Sequence, residues 1–250
     1  MSLGSASSFG LLGGTISNTG TSSVVGNVGA TTKITGFYPT GTATGTVYPW
    51  PTDPTVETAY TAFENADTQA WSYLSTALPL GILSTSQTFI GNNAYASSAD
   101  ISTATGIDLY FDAQGNPNDV FLILINGALT VNGAMTFTLE GDAQTSNIFW
   151  VVKNAATISV GSSGPITFDG NILAGTSFTM SAASGGSDVL AGTINGCVYT
   201  ETANTLGGET DINGPCATAG GSVPEPGSSG LVSLGCLLGI SVWRKLRVSL

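Results

Sequence analysis

The 250-residue chain contains no histidine. That removes the commonest general base and the commonest transition-metal ligand, so neither a Ser-His-Asp nor a Cys-His arrangement can form within it. Cations are nearly as scarce: Lys and Arg total 5 against 16 Asp and Glu, for a net charge of -11. Three of the five, Arg244, Lys245 and Arg247, sit together near the C-terminal end, leaving Lys33 and Lys153 for all that precedes them. Nucleic-acid binding needs cations clustered against phosphates, and this distribution excludes it. Charged residues make up only 8% of the chain, where ~25% is usual. Low charge combined with 42% hydrophobic residues also excludes disorder, which needs the opposite balance. Of the 3 cysteines, Cys236 lies in an apolar stretch and reads as a small buried hydrophobe. Cys197 and Cys216 suit either a disulfide in an oxidising compartment or two free thiols, and their spacing leaves both open.

What the chain does contain is glycine, 34 residues of it, with abundant Thr, Ser and Ala arranged in a repeat. Apolar segments begin at Asp119, Asn147 and Asn171, roughly 24 to 28 residues apart. Each is followed by a short Thr/Ser strand (129–131, 157–160, 177–180), and the first two by a third strand as well (135–139, 166–168). Three short strands per period predict a β-solenoid, in which outward side chains stack into flat ranks. The fold class expected is therefore all-β, an irregular right-handed β-solenoid with one long α-helix packed alongside. Short strands are predicted at 9–13, 15–18, 23–25 and 34–37. The helix is placed at about 55–77, with Asp53 or Thr55 as cap, Pro54 in its first turn and Pro79 as its stop. Its apolar stripe runs through Val56, Ala59, Phe63, Ala66, Ala70 and Leu74.

The expected domain layout is a solenoid over 1–205, a Gly- and acid-rich linker over 206–222 and a separate module over 223–250. That module combines a turn motif (Val223, Pro224, Glu225, Pro226, Gly227), an apolar stretch ending at Trp243, and the cations Arg244, Lys245 and Arg247. The stretch is expected to form a short transmembrane helix with its basic end in the cytoplasm. Residues 1–8 carry neither the basic start nor the apolar core of a signal peptide.

Two resemblances rest on these residues. The 223–247 module resembles a PEP-CTERM sorting signal. That resemblance implies export, transient anchoring in the inner membrane, processing by an exosortase near Pro224, Glu225 and Pro226, and association with exopolysaccharide at a bacterial cell surface. The body resembles the microbial ice-binding protein family with a discontinuous β-solenoid, through residues 9–20, 24–29, 34–37, 58–60, 112–121, 147–152 and 168–174. It departs from the family pattern at 89–95 and 186–192. The resemblance implies adsorption to an ice crystal surface through one flat, hydroxylated face, without a cofactor.

It also implies a location for that face: the third-strand series and the N-terminal turns beside it. Alternation puts Phe137 and Phe168 inside, so Thr136, Thr138 and Thr167 point out, together with Asp169. Thr21, Ser23, Thr42, Thr44, Ser184 and Gly186 complete the candidate set. Threonine suits such a face because β-branching holds its hydroxyl and methyl stiffly. On this reading Thr167→Tyr reduces ice activity without unfolding the protein.

No catalytic constellation is found. Asp108, Asp112, Asp119, Glu140, Asp142 and Asp169 fall mostly at turns, where Asp serves local hydrogen bonding. Asp112, Asn116, Asn118 and Asp119 have the oxygens for calcium, but an Asx-rich turn is the simpler reading. The competing function is a structural or carbohydrate-binding protein of the exopolysaccharide matrix, with Trp50 and Tyr48 as the exposed aromatics for sugar stacking.

Overall fold

The computed structural model describes residues 1–49, 51–160, 164–182, 189–214 and 216. Strands dominate, with a single α-helix among the described residues. The strands form three sheets of 14, 3 and 5 members, and every pairing between them is parallel. Parallel pairing follows from the repeat, because each strand meets its equivalent from the adjoining coil and not a hairpin partner.

The apolar runs are continuous because both of their faces are covered. In the strand Phe121–Ile125, residues Phe121, Ile123 and Ile125 point into the coil. Leu122 and Leu124 point the other way, into a second cluster that contains the helix residues Val56, Ala59, Phe63, Ala66 and Ala70. The ladder keeps this division from coil to coil. Tyr95, Ile123, Trp150, Ile172, Val198, Leu11 and Val28 are consecutive partners on the inner side. On the third-strand side the coil is filled by rings. Phe111 stacks on Phe89 at 4.9 Å and on Phe137 at 6.1 Å, and Phe137 meets Phe168 edge-on at 5.2 Å.

Chain order and coil order differ at one place. The long strand Phe9–Asn18 lies between the C-terminal strands Val198–Thr200 and Ala203–Leu206 on one side and Asn27–Thr35 on the other. The chain therefore starts near one end of the stack and must travel to the other to build the remaining coils. The helix Pro54–Trp71 makes that crossing. Its 18 residues span about 27 Å at ~1.5 Å each. The strand after it, Leu78–Pro79, pairs with Asn93–Ser97 at the opposite edge of the 14-stranded sheet.

Several expectations need correction. The helix ends at Trp71, not near residue 77, and a 3-10 turn Leu74–Thr76 follows. Its buried stripe is exhausted at Ala70, and the Ser72 hydroxyl takes the Gln69 carbonyl at 2.6 Å. Pro79 lies in a strand and does not stop the helix. Asp53 is the cap, its Oδ1 accepting from Thr55 N at 2.8 Å. The short strands expected at 9–13 and 15–18 are one strand. The linker expected from 206 begins inside the fold, since Ala203–Leu206 and Glu209–Ile212 are both paired strands. Glycines and acids disguised this segment. Gly208, at φ 72°, turns a corner, while Thr210 and Ile212 point inward. Beyond it, Cys216 is disulfide-bonded to Cys197. The sorting module at 223–250, with its expected helix, lies outside the described residues. Among the described residues no helix is long and apolar enough to cross a membrane.

Candidate binding face

Three flat sides result from three strands per coil, and each offers a different chemistry. The first-strand side is covered by the helix. Tyr60 pins the helix there, its hydroxyl donating to the Glu201 carbonyl at 2.6 Å. Burial and nearby Glu64, Glu201 and Glu57 push the Tyr60 phenol up to about 12.

Among the described residues no helix covers the second-strand side. Its strands are Ile101–Ser102, Leu129–Val131, Ala156–Ser159, Ser177–Ser181, Ala203–Leu206, the end of Phe9–Asn18, and Asn27–Thr35. Inward positions hold Leu129, Val131, Ala156, Ile158, Phe178, Met180, Leu206 and Ile16, all buried. The residues between them point out. The register aligns them as Ser102, Thr130, Thr157, Thr179, Thr205, Ser17 and Thr35, each the direct partner of the next. All seven carry a hydroxyl and none is charged. At ~4.8 Å between strands the six intervals make a row about 29 Å long. A parallel row contains Lys33, Thr15, Ala203 and Ser177, which puts the only cation of these two rows at its edge. A further short row pairs Ser159 with Ser181, hydroxyl to hydroxyl at 3.4 Å. Asn132 Nδ2 donates to Ser102 Oγ at 2.8 Å. Thr130, Thr157, Thr179 and Thr205 lie outside the set of residues expected from the sequence. The Thr/Ser character of the second strands was visible in it, but their alignment with Ser17 and Thr35 was not.

The third-strand side, expected to be the binding face, is divided between two sheets. Thr136 and Thr138 lie on the strand Thr136–Glu140 of the three-stranded sheet, whereas Thr167, Ser23 and Thr42 belong to the five-stranded one. On the smaller sheet Thr136 is opposite Asp108, Thr138 is opposite Tyr110, and Glu140 is opposite Asp112. On the larger, the row reads Thr167, Thr193, Asp211, Ser23 and Thr42, and the Ser23 hydroxyl donates to the Asp211 carboxylate. Thr44 uses its hydroxyl to accept from Gly26 N at 2.8 Å, and Thr21 is an exposed residue just before the strand Ser23–Val24. Ser184 and Gly186 lie outside the described residues, as does Trp50. Phe168 is buried as expected, and Phe137 is partly buried against the core. Asp169, expected to point out, is buried at 8% exposure. It ends its strand against Asn195, whose Nδ2 donates to its carboxylate at 2.7 Å, and its carbonyl takes Trp150 Nε1 at 3.0 Å. Burial raises its pKa, although the Asn195 hydrogen bond opposes the shift.

The turn carboxylates accept hydrogen bonds, Asp112 and Asp119 within their own turns and Asp100 from the next coil. Asp112 Oδ1 accepts from Gln114 N at 2.8 Å, Asp100 Oδ1 from Ala128 N at 2.8 Å, and Asp119 from Asn116 Nδ2. Among the described residues no group of three or more His, Cys, Asp or Glu is placed to hold a metal.

A family model described as Ice-binding-like matches residues 11–212. The chain belongs to the Ice-binding-like family. An ice-binding protein of Nostoc sp. (strain HG1) is 34% identical over 253 residues, covering 93% of this chain and 84% of that one. The crystal structure of an ice binding protein from an Antarctic biological consortium superposes with a TM-score of 0.70 at 27% identity, over 84% of this chain and 89% of that one. An ice-binding protein from the ascomycete Antarctomyces psychrotrophicus gives a TM-score of 0.72, over 86% and 98% of the two chains. At 24% identity it speaks for the fold alone. The mostly β, parallel, single-helix architecture is therefore that of Ice-binding-like proteins. In this member of the family Tyr48, expected as a sugar-stacking platform, is half-buried with its ring 5.6 Å from Phe9.

Proposed function

We propose that this protein adsorbs to ice through its second-strand side, with Ser102, Thr130, Thr157, Thr179, Thr205, Ser17 and Thr35 as the central row. The observation that carries the reading is the row itself, seven uncharged hydroxyl residues in unbroken register. Adsorption to a solid lattice requires a flat face that is cheap to immobilise. Threonine loses little rotamer freedom there, whereas long charged side chains would lose more and would also hold their own water. Each threonine contributes a methyl to be dehydrated and a hydroxyl to join an ordered water layer. The third-strand side is a poorer candidate, because Asp211 sits in the middle of one of its rows and Asp108 and Tyr110 lie in the others. The similarity to ice-binding proteins supports the ligand, and the row supports the side.

On this reading the protein works by adsorption and not by turnover. The resemblance of the 223–247 module to a sorting signal supports a second part of the proposal. The protein acts outside a bacterial cell, reached through transient inner-membrane anchoring and exosortase processing, with matrix exopolysaccharide as its neighbour. Thermal hysteresis and ice-crystal shaping by the purified protein test the function. A freezing gap with faceted crystals is expected. Folded protein that neither shapes crystals nor delays their growth would overturn it.

A further inference from the structure

The Cys197–Cys216 bridge stands at the one junction where the stack is not continuous in chain order. Residues 197 to 216 contain three strands, Val198–Thr200, Ala203–Leu206 and Glu209–Ile212, one in each strand series. They make one full turn of the coil. We infer that the bridge closes this turn into a covalent ring, and that the ring is the platform that holds the N-terminal coils in the stack.

The pairings on both sides of the ring carry the argument. Toward the middle of the stack, its strands pair with Asn171–Ala174, Ser177–Ser181 and Leu190–Asn195, all from the preceding turn of the same running chain. Toward the other side, its partners are Leu11 and Leu12, then Thr15 to Asn18, then Ser23 and Val24. These belong to the beginning of the chain, nearly two hundred residues away in sequence. Only non-covalent contacts join the two turns. They are close ones: a Cβ on Gly13 would lie 2.5 Å from both Thr200 Oγ1 and Asn204 Nδ2. The Tyr199 hydroxyl lies 2.7 and 2.9 Å from the carbonyls of Ala6 and Phe9, which share its one proton, and Asn204 Nδ2 donates to the carbonyl of Leu12 at 2.9 Å. Glu209–Ile212 is the last strand of the described residues, and without the bridge nothing among them ties its C-terminal end, where strands fray first. Fraying there removes the surface on which Ser23–Val24 sits and opens the buried Ile212. Cys197 is fully buried and Cys216 nearly so, against the Phe9 carbonyl, so the closed ring shields its own bond.

The consequence for the face rests on the ice-adsorption reading proposed above. Ser17 and Thr35 enter the seven-residue row only while the N-terminal coils are docked on the ring. The bridge is then what keeps the row at seven and not five.

Hydrogen exchange followed by mass spectrometry tests the ring independently of ice. The oxidised protein is compared with the Cys197→Ser/Cys216→Ser variant. A loop of this size predicts exchange about a hundredfold faster where opening is local. The rise is expected in Phe9–Asn18, Ser23–Val24 and Glu209–Ile212, with Phe121–Ile125 and Ile148–Val152 unchanged. Equal acceleration in all strands, or none in the first three, overturns the inference. Should the variant fail to fold, the wild type is incubated with dithiothreitol in urea below its unfolding transition until thiol titration shows the bridge open; the reagent supplies two electrons and two protons. It leaves Cys197 and Cys216 as thiols and itself becomes a cyclic disulfide. The same exchange pattern is then expected, and global unfolding on reduction counts against a local clamp. Thermal hysteresis on both forms separates the two claims. A changed exchange pattern with no hysteresis in either form leaves the ring standing and removes the ice reading.

Discussion

Replacing Thr179 by tyrosine puts a rigid ring in the middle of the hydroxyl row, with Thr157 on one side and Thr205 on the other. A flat lattice resting on that ring can no longer touch the three residues to either side. The size of the effect follows from what the row contributes. Five of its members are threonines, each with one methyl to dehydrate. At ~0.8 kcal/mol per methyl-sized group that is about 4 kcal/mol for the row, or nearly three orders of magnitude in affinity. Thr179→Tyr forfeits most of it. Thr35→Tyr, at the end of the row, forfeits one methyl, about 0.8 kcal/mol or roughly fourfold. Thr167→Tyr, on the third-strand side, is expected to change nothing. All three positions point outward on strands, where tyrosine is well tolerated, so folding stability should move by less than about 0.5 kcal/mol. The assay is the protein concentration giving half-maximal inhibition of ice recrystallisation, with urea unfolding as control. Thr179→Tyr should raise that concentration more than about a hundredfold and Thr35→Tyr by about fourfold. Equal shifts at the two positions would refute the single-row argument. A larger effect at Thr167 than at Thr179 would move the binding face to the third-strand side.

The remaining predictions concern stability. Trp150 is buried inside the coil and donates to the Asp169 carbonyl, so Trp150→Ala should cost about 3–5 kcal/mol in urea unfolding; a loss under 1 kcal/mol would mean that the ring column is not the core. Tyr60→Phe removes the hydrogen bond to the Glu201 carbonyl that holds the helix, and should cost about 0.5–1.5 kcal/mol while leaving ice activity intact. Asp169 has a raised pKa because burial disfavours its charge, so the folded protein keeps this proton to higher pH than the unfolded chain does. Its contribution therefore makes stability fall as pH rises from the ordinary carboxylate range through the raised value, and level off above it. Asp67 is shifted the same way, chiefly by desolvation, and adds a slope of the same sign. Asp169→Asn should shrink that slope, measured as the urea midpoint against pH. An unchanged profile would show that the group does not titrate with folding.

Much of the architecture could be read from residue order because it depends on local periodicity. The runs at Phe121–Ile125 and Ile148–Val152 were apparent as strands, and one amphipathic stretch was apparent as a helix that needed a side to lie on. The misreadings share a cause. Glu209–Ile212 looked like a linker because its stabilising partners, Leu190–Asn195 and Ser23–Val24, lie in other coils, the second of them at the far end of the chain. Asp169 looked exposed because alternation describes one strand, and its cover comes from Asn195 on the next. The helix is read too long because Leu74 fits the period, although it joins neither buried cluster and is 42% exposed.

The proposed binding face is hard to read for a deeper reason. A row of side chains across a coil has no signature along the chain; it is a property of register. Thr130, Thr157, Thr179 and Thr205 each sit in an ordinary alternating strand, and exposed threonine is common in any sheet. Only the register of the strands shows that no charged residue interrupts them, and that two residues from the first forty positions extend the row. The third-strand side shows the converse. Thr136, Thr138, Thr167, Ser23 and Thr42 look equally suitable one at a time. Asp108, Tyr110 and Asp211, harmless in their own strands, are carried into the same rows by register. A lattice-binding face is therefore specified by the residues that fail to appear opposite one another as much as by those that do. The same register that assembles the row also makes it depend on the junction between the first and last turns of the chain, because Ser17 reaches its place only by pairing with Thr205.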